Sequence, residues 1–151
     1  MEFEVLLRFA VALVFSAVVG WEREQLRKPA GLRTHMLVGA GASLFVGLGE
    51  LLVLEFSSFG ELQRIDPMRI IEAVVAGVSF LGAGTIFFAR GEDRVKGLTT
   101  AASLWATAGV GMAVGLGRYL TAAGITLMLF LVLRGVGWLE RRGVPKAKPD
   151  E

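Results

Sequence analysis

The chain has 151 residues, of which 54% are apolar and 20 are glycine, and its mean hydropathy of +0.60 is above that of ordinary soluble domains. Its net charge of +2 is too small to indicate nucleic-acid binding. Because there is no cysteine, disulfides, thiolate metal sites and cysteine nucleophiles are excluded. The composition therefore predicts a membrane protein.

Five segments are apolar enough to cross a bilayer core, which needs roughly 20 residues per helix. They are residues 5–21, 34–56, 68–89, 98–117 and 119–139. Glu2 and Glu4 precede the first segment, where a cleaved signal peptide would carry basic residues, so we expect a retained helix. The predicted fold is an all-α, polytopic membrane bundle of about five transmembrane helices. Residues 1–140 form the predicted transmembrane domain, and residues 141–151 a short basic cytoplasmic tail.

The basic residues predict the orientation of the chain. Only Arg8, Arg64, Arg69 and Arg118 fall on one side of the predicted membrane. The other twelve are Arg23, Arg27, Lys28, Arg33, Arg90, Arg94, Lys96, Arg134, Arg141, Arg142, Lys146 and Lys148. Since short cytoplasmic loops are enriched in Lys and Arg, we expect the N-terminus outside and the C-terminus in the cytoplasm.

Two of the predicted helices resemble each other at both ends. The second begins GLRT and ends VGLG, and the fourth begins GLTT and ends VGLG. Each follows a charged turn and a helix of the opposite direction, so helices one and two are predicted to be a parallel copy of helices three and four, as in some transporters. Chance similarity between glycine-rich sequences is the alternative.

Small residues recur at spacings that place them on one helix face, which lets helix backbones approach closely in lipid. We expect them to form a tight bundle or a homo-oligomer contact rather than a substrate path. The predicted packing residues are Gly39, Ser43, Gly47, Gly77, Gly82, Gly84, Gly109 and Gly117.

Two carboxylates lie within the predicted helices near their outer ends. Glu50 shares a face with Gly39, Ser43 and Gly47, and Glu72 lies on the third helix. Magnesium is commonly held by one or two carboxylates with its waters retained. The pattern predicts a weak outward-facing Mg²⁺ site, and the alternative is that both are solvated charges at helix ends, paired with basic residues of the loop.

A second polar group falls in the first cytoplasmic turn, where acids face the starts of helices two and four. We expect a cluster that locks the predicted repeats together or presents a partner surface, with the hydroxyl groups as helix caps. Its members are Glu22, Glu24, Arg33, Thr34, His35, Thr99 and Thr100. The alternative role is limited to topology and contact with lipid headgroups. For His35 we favour a hydrogen-bonded interfacial side chain over a proton relay.

The sequence contains few residues that could form a catalytic site. No phosphate-binding GxxxxGK[ST] loop is present, and with one histidine and no cysteine a catalytic triad or zinc site is not expected. We therefore predict that the protein is not an enzyme and has no cofactor, with Mg²⁺ as the one candidate ligand.

Four motifs in order, ERE, PAGLRTHMLVGAGASLF, GVSFLGAGTIFF and VKGLTTAASLWATAGVGMAVGLGRY, resemble the N-terminal transmembrane domain of the MgtC/SapB family. The resemblance runs from about Gly20 to Tyr119. It implies a bacterial inner-membrane protein that supports magnesium homeostasis and acts by binding other membrane proteins. Only nine residues, GVPKAKPDE, follow the last basic pair, so the chain resembles short members that lack a soluble C-terminal domain.

Two functions are carried forward. In the first, the protein lies in the lipid bilayer, has no catalytic activity and supports magnesium or ion homeostasis by interacting with other membrane proteins. The second is a direct carrier or channel for Mg²⁺ or another small cation, using Glu50 and Glu72.

Overall fold

The structure, a computed structural model, describes residues 1–56, 66–88 and 96–136. Within these ranges there are five α-helices and no strand. They are α1 (Glu2–Gln25), α2 (Leu32–Phe56), α3 (Met68–Phe88), α4 (Leu98–Gly115) and α5 (Tyr119–Leu131), and α5 continues into a π-helical turn, Val132–Val136. The predicted all-α fold is confirmed.

The helices α1 to α4 are long and apolar enough to cross a membrane, whereas α5 with its π-helical turn is a shorter apolar helix. Helix α1 is longer than its predicted apolar segment at both ends. Its first turn contains Glu2 and Glu4, whose charges favour the positive end of the helix dipole. The end of the fifth predicted segment, the tail and the loop bases Arg64, Arg90 and Arg94 lie outside the described residues.

Glycines flank α4 at both ends because they adopt backbone angles that other residues avoid. Gly117 has φ +70° and ends α4 in a Schellman motif, with its N–H bonded to the Val114 carbonyl and the Arg118 N–H bonded to the Ala113 carbonyl. Gly97, with φ +94°, precedes α4, and a Cβ there would lie 2.6 Å from the Thr85 carbonyl oxygen. The VGLG sequence at residues 114–117 therefore ends α4 two residues before the predicted limit. The VGLG at residues 46–49 instead lies inside α2, which continues to Phe56, so the prediction that this VGLG ends its helix is wrong.

Helices α2 and α4 form the centre of the bundle. Helix α1 packs on both of them, α3 packs mainly on α4, and α5 packs on α4 and α1. Since α2 and α4 run in the same direction with α1 and α3 outside them, the order is the one expected of the predicted repeat. The packing of the two halves is unequal, because α1 also contacts α4 extensively while α3 has little contact with α2. The repeat itself stays a prediction.

The core is made of small side chains that let the helices approach closely. One buried cluster contains Ala12, Ala40, Val110, Val114 and Ala122, and a second contains Ala42, Val74, Val78 and Ala108. Because lipid is as apolar as these side chains, close contact rather than hydrophobic burial holds such helices together.

At the middle of the bundle two glycines bring α2 and α4 into backbone contact. A Cβ added at Gly111 would lie 2.7 Å from the carbonyl carbon of Gly39, and one added at Gly39 would lie 2.9 Å from the Cβ of Ser16. Such distances leave no room for a side chain at either position. We call this contact the Gly39–Gly111 crossing.

The predicted packing residues divide into two groups. Added Cβ atoms at Gly39, Gly47 and Gly82 would meet α1 or α4, Ser43 is buried, and Gly117 belongs to the turn after α4. Gly77, Gly84 and Gly109 have nothing within 4 Å of an added Cβ. These three glycines therefore make no close packing contact among the described residues, and their packing role stays a prediction.

The two ends of the bundle are named after their buried or half-buried arginines. At the Arg23 end α1 stops and α2 and α4 begin. At the Arg8 end α1 begins and α2 and α4 stop.

Candidate functional site

A buried polar cluster lies at the Arg23 end, where the last turn of α1 packs against the first turns of α2 and α4. Its members, which we call the Arg23 cluster, are Glu22, Arg23, His35, Thr100 and Ser103, each 3% exposed or less. Charged groups are rarely buried to this extent unless they are paired, since desolvation of a charge is costly. The cluster is therefore the most unusual polar feature of the described residues.

Arg23 joins α1 to α4. Its Nη2 donates to Thr100 Oγ1 at 3.1 Å, and its Nη1 lies 3.9 Å from Glu22 Oε2. Among the described residues neither carboxylate oxygen of Glu22 has a hydrogen-bond partner, and Arg23 Nε has none either. The charges of Glu22 and Arg23 therefore compensate each other by proximity, without a hydrogen bond between them.

His35 joins α2 to α4 in the same cluster. Its Nδ1 lies 2.9 Å from the carbonyl oxygen of Gly31, so Nδ1 carries the proton, because a carbonyl only accepts. Its Nε2 lies 3.0 Å from Ser103 Oγ, and the same hydroxyl lies 2.8 Å from the Thr100 carbonyl oxygen. A neutral imidazole that donates to Gly31 can accept at Nε2 only from the single Ser103 hydroxyl proton, for which the Thr100 carbonyl competes. Both ring nitrogens are used within the protein, which fits the expected hydrogen-bonded histidine.

Glu24 lies at the edge of the cluster and is exposed. Its Oε2 accepts a hydrogen bond of 2.9 Å from the Leu32 N–H, one of the unpaired donors at the start of α2. A Cβ added at Gly31 would lie 2.9 Å from the Glu24 carboxyl carbon, so glycine leaves the room that this carboxylate occupies. Glu24 therefore acts as a helix cap supplied by the preceding helix.

Besides the exposed Glu24, three predicted members do not join the buried cluster. Arg33, Thr34 and Thr99 are exposed. The structure shows no bond between Arg33 and either Glu22 or Glu24 among the described residues. Arg33 instead lines a cavity between α2 and α3. Arg23 and Ser103 are the two members that sequence reasoning missed, although the spacing of three between Ser103 and Thr100 places both on one face of α4.

Arg8 forms a second cluster at the other end of the bundle. Its Nη1 donates to Glu50 Oε2 at 2.5 Å and to the Gly115 carbonyl oxygen at 2.7 Å, and its Nη2 donates to Glu4 Oε1. One guanidinium thus connects α1, α2 and the last turn of α4. Arg8 and Glu50 lie on different helices and are 42 residues apart, so the spacing of residues in the sequence does not predict their contact.

The contact between Arg8 and Glu50 occupies one of the two carboxylates of the predicted cation site, Glu50 and Glu72. Glu50 is held by Arg8, so a metal ion would have to displace a guanidinium from it. Glu72 is exposed on α3, and the described residues contain no group of three or more His, Asp or Glu side chains placed to hold a metal ion. The site stays a prediction.

A long groove separates α2 from α3, and we call it the α2–α3 groove. It has a cavity volume of about 900 Å³ and an almost entirely apolar lining. Arg33 and Thr34 lie at its mouth at the Arg23 end, and Arg69 lies at its other mouth. Val38, Ala42, Val74 and Val78 are among the side chains along its length.

Apolar helices of membrane-spanning length with charged clusters at both ends define a polytopic helical membrane protein. The chain matches the MgtC family over residues 9–142, and it belongs to this family. The expected resemblance to MgtC/SapB proteins is confirmed.

Three bacterial relatives show the extent of the similarity. The chain is 38% identical over 135 residues to YhiD of Escherichia coli K12, whose name marks it as a candidate magnesium transporter, covering 86% of this chain and 59% of YhiD. It is 30% identical over 139 residues to SapB of Bacillus subtilis, covering 92% and 59%. It is 37% identical over 127 residues to MgtC of Salmonella typhimurium LT2, covering 84% and 50%. The chain thus spans little more than half the length of these relatives, and no solved structure matches it.

Proposed function

We propose that this member of the MgtC family is a non-catalytic protein of the bacterial inner membrane that supports magnesium homeostasis by interacting with another membrane protein. The magnesium part of this proposal comes from the name of the relative YhiD, and that name describes YhiD itself. The orientation that accompanies the proposal has the Arg23 end in the cytoplasm, because the basic turn between α1 and α2 lies there.

The observation that carries the proposal is the closed centre of the bundle. A carrier or channel needs a polar path across the membrane, because ions are costly to place in an apolar medium. Here the Gly39–Gly111 crossing brings backbones together at mid-depth. Between the two end clusters the described residues of α1 to α4 include no ionisable side chain. Polar ends separated by a closed, uncharged centre favour a role that does not move ions through the single chain.

The few polar groups at the centre are enclosed by the packing. Ser16, Ser43 and Thr107 are buried, and Thr107 Oγ1 donates to the Ser103 carbonyl oxygen of its own helix at 2.7 Å. In the part of the chain that the structure describes, the hydroxyl groups of Ser16 and Ser43 have no hydrogen-bond partner. Three hydroxyl groups in a space this narrow do not replace the hydration shell of a cation.

Surfaces for another helix are available on the outside of the bundle. An added Cβ at Gly84 or Gly109 meets nothing within 4 Å, so a neighbouring backbone could come close at either position. Membrane helices associate through such small residues. This supports interaction with a second membrane protein, and also the proposed homo-oligomer.

The test is magnesium flux into liposomes that contain the purified protein, followed with a trapped indicator dye. We expect no flux above that of protein-free vesicles, with circular dichroism showing that the reconstituted protein is folded. The alternative, a direct carrier or channel, is favoured by the name of YhiD alone. Flux that disappears in the Glu50→Ala, Glu72→Ala double variant would overturn the interaction role and assign the site.

A further inference from the structure

We propose that the α2–α3 groove is a binding site for an anionic phospholipid, whose phosphate contacts Arg33 and whose acyl chains lie between the two helices. This goes beyond the proposed function and is independent of it, because it requires neither magnesium nor a protein partner.

The shape of the groove fits hydrocarbon chains. Along α2 the lining runs from Arg33 to Leu52, which is about 28 Å at the rise of an α-helix and close to the thickness of a bilayer core. Its volume of about 900 Å³ falls in the range of pockets that hold organic ligands. An extended apolar slot that follows the membrane normal suits an acyl chain better than a compact solute.

The charge at the Arg23 end of the groove fits a phosphate. Arg33 is exposed, and the structure gives its guanidinium no hydrogen bond or ion pair within the described residues. The Thr34 hydroxyl lies beside it at the mouth, and among the described residues that line the groove none is acidic. Arginine binds phosphate oxygens with two parallel N–H groups, and basic pockets between membrane helices recognise anionic headgroups.

The opposite mouth is less suited to an anion. Arg69 lies there, but Asp66 and Glu72 are three residues before and after it and are exposed. Glu50 lies at the same end of α2. Its carboxylate and that of Glu4 are both paired with one arginine, Arg8, so two negative charges face a single positive charge. These acids would repel a phosphate, so the geometry places the headgroup at Arg33.

Two glycines keep the middle of the groove open. Gly41 on α2 and Gly77 on α3 both line it, and a Cβ added at either position meets nothing within 4 Å. A larger side chain there would extend into the groove without displacing the protein. These positions therefore allow the groove to be filled while the bundle is left intact.

The experiment is native mass spectrometry of the purified chain in detergent, titrated with phosphatidylglycerol or with phosphatidylethanolamine of the same acyl chains. We expect one retained lipid, with phosphatidylglycerol preferred. Arg33→Gln should weaken phosphatidylglycerol binding about five-fold, which corresponds to ~1 kcal/mol for one basic residue at a headgroup, and abolish the preference. The Gly41→Leu, Gly77→Leu double variant should lose most binding of both lipids.

Matched controls keep each outcome decisive. Gly124→Leu introduces the same side chain at another open glycine outside the groove, and Arg27→Gln removes a neighbouring exposed charge that does not line it. Both should bind lipid like the wild type, and thermal unfolding should show that every variant is folded. Unchanged binding in the filled variant, an unchanged preference in Arg33→Gln, or no retained lipid in the wild type would each overturn the proposal.

A second copy of the chain is the competing occupant, and the natural lack of cysteine makes it easy to test. Gly41→Cys introduces the only thiol, at the middle of the groove. If the groove holds lipid, oxidation in native membranes should leave the chain monomeric on a denaturing gel. A disulfide-linked dimer at high yield would show that another chain covers the groove and would overturn the lipid site.

Discussion

Helix α2 has two faces that are built from similar residues and packed in opposite ways. Toward α1 and α4 it is closed, and a Cβ at Gly39 would lie 2.9 Å from the Ser16 Cβ. Toward α3 it is open, and a Cβ at Gly41 would meet nothing within 4 Å. The two glycines are two residues apart, which turns them to nearly opposite sides of the helix. In this membrane protein the face on which a glycine lies, rather than the number of glycines, decides whether it holds the bundle together.

The arginines near the two faces differ in the same way. Arg23 is buried at the closed side and bonds across to Thr100, whereas Arg33 is exposed at the mouth of the α2–α3 groove. The closed side uses its charge to connect helices. The open side presents its charge to the surroundings.

The largest effect should come from filling the Gly39–Gly111 crossing. Gly111→Val places a branched side chain against the carbonyl group of Gly39, and backbone atoms cannot move aside like a flexible side chain. Overpacking usually costs 1–3 kcal/mol, so we expect a loss of about 3 kcal/mol or more in the free energy of unfolding. Denaturant titration in mixed micelles, followed by circular dichroism, measures it.

Gly109→Val is the matched control for this prediction, because Gly109 lies on the same helix and an added Cβ there meets nothing within 4 Å. It should change the unfolding free energy by less than about 1 kcal/mol, in line with helix propensity. Equal losses in the two variants would show that the closed and open faces do not differ as described.

A smaller effect is expected from the buried charges of the closed side. Arg23→Ala leaves the buried Glu22 carboxylate without a compensating charge, which typically costs 3–5 kcal/mol in a fully buried pair. Since no hydrogen bond joins Arg23 to Glu22, we expect a value at the lower end of this range, about 3 kcal/mol, measured by the same titration. Arg27→Ala removes an exposed arginine from the next turn and should cost no more than about 0.5 kcal/mol.

The Glu22→Ala, Arg23→Ala double variant distinguishes two causes of lost stability. One is the uncompensated charge of Glu22, and the other is the loss of the Arg23–Thr100 bond between α1 and α4. The double variant removes both charges, so it should be more stable than Arg23→Ala alone. A double variant that is less stable would show that Glu22 contributes to stability by contacts other than its charge.

The helices could be predicted from the sequence, while their partners could not. Long apolar runs and the breaks at glycine and charged turns located all five helices, since the length needed to cross a bilayer is a strong constraint. The stripe Gly39, Ser43 and Gly47 was also placed on a packing face, and the structure puts all three against neighbouring elements or in the core. Helical spacing alone supports this kind of inference.

The stripe on α4 shows the limit of that inference. Gly109 and Gly117 have the expected spacing, yet the residues that meet α2 are Gly111 and Gly115. In a soluble protein an apolar stripe marks the buried side, but in lipid both sides of the helix are apolar, so the pattern does not distinguish them. The contacts of Arg8 and Ser103 were missed because both are made between helices far apart in sequence.

The smallest effect tests whether the closed and open sides communicate at the start of α2. Glu24→Ala removes the acceptor of the Leu32 N–H and should cost about 1 kcal/mol, as the loss of a helix cap does. Arg33→Ala should cost less than about 0.5 kcal/mol, because Arg33 is exposed at the groove. A thermodynamic cycle of the two single variants and the double variant should then give a coupling energy near zero. Coupling above about 0.5 kcal/mol would mean that Glu24 and Arg33 attract each other after all. Their independence would leave the charge of Arg33 available to a ligand at the groove, while Glu24 continues to fix the first turn of α2 from the other side.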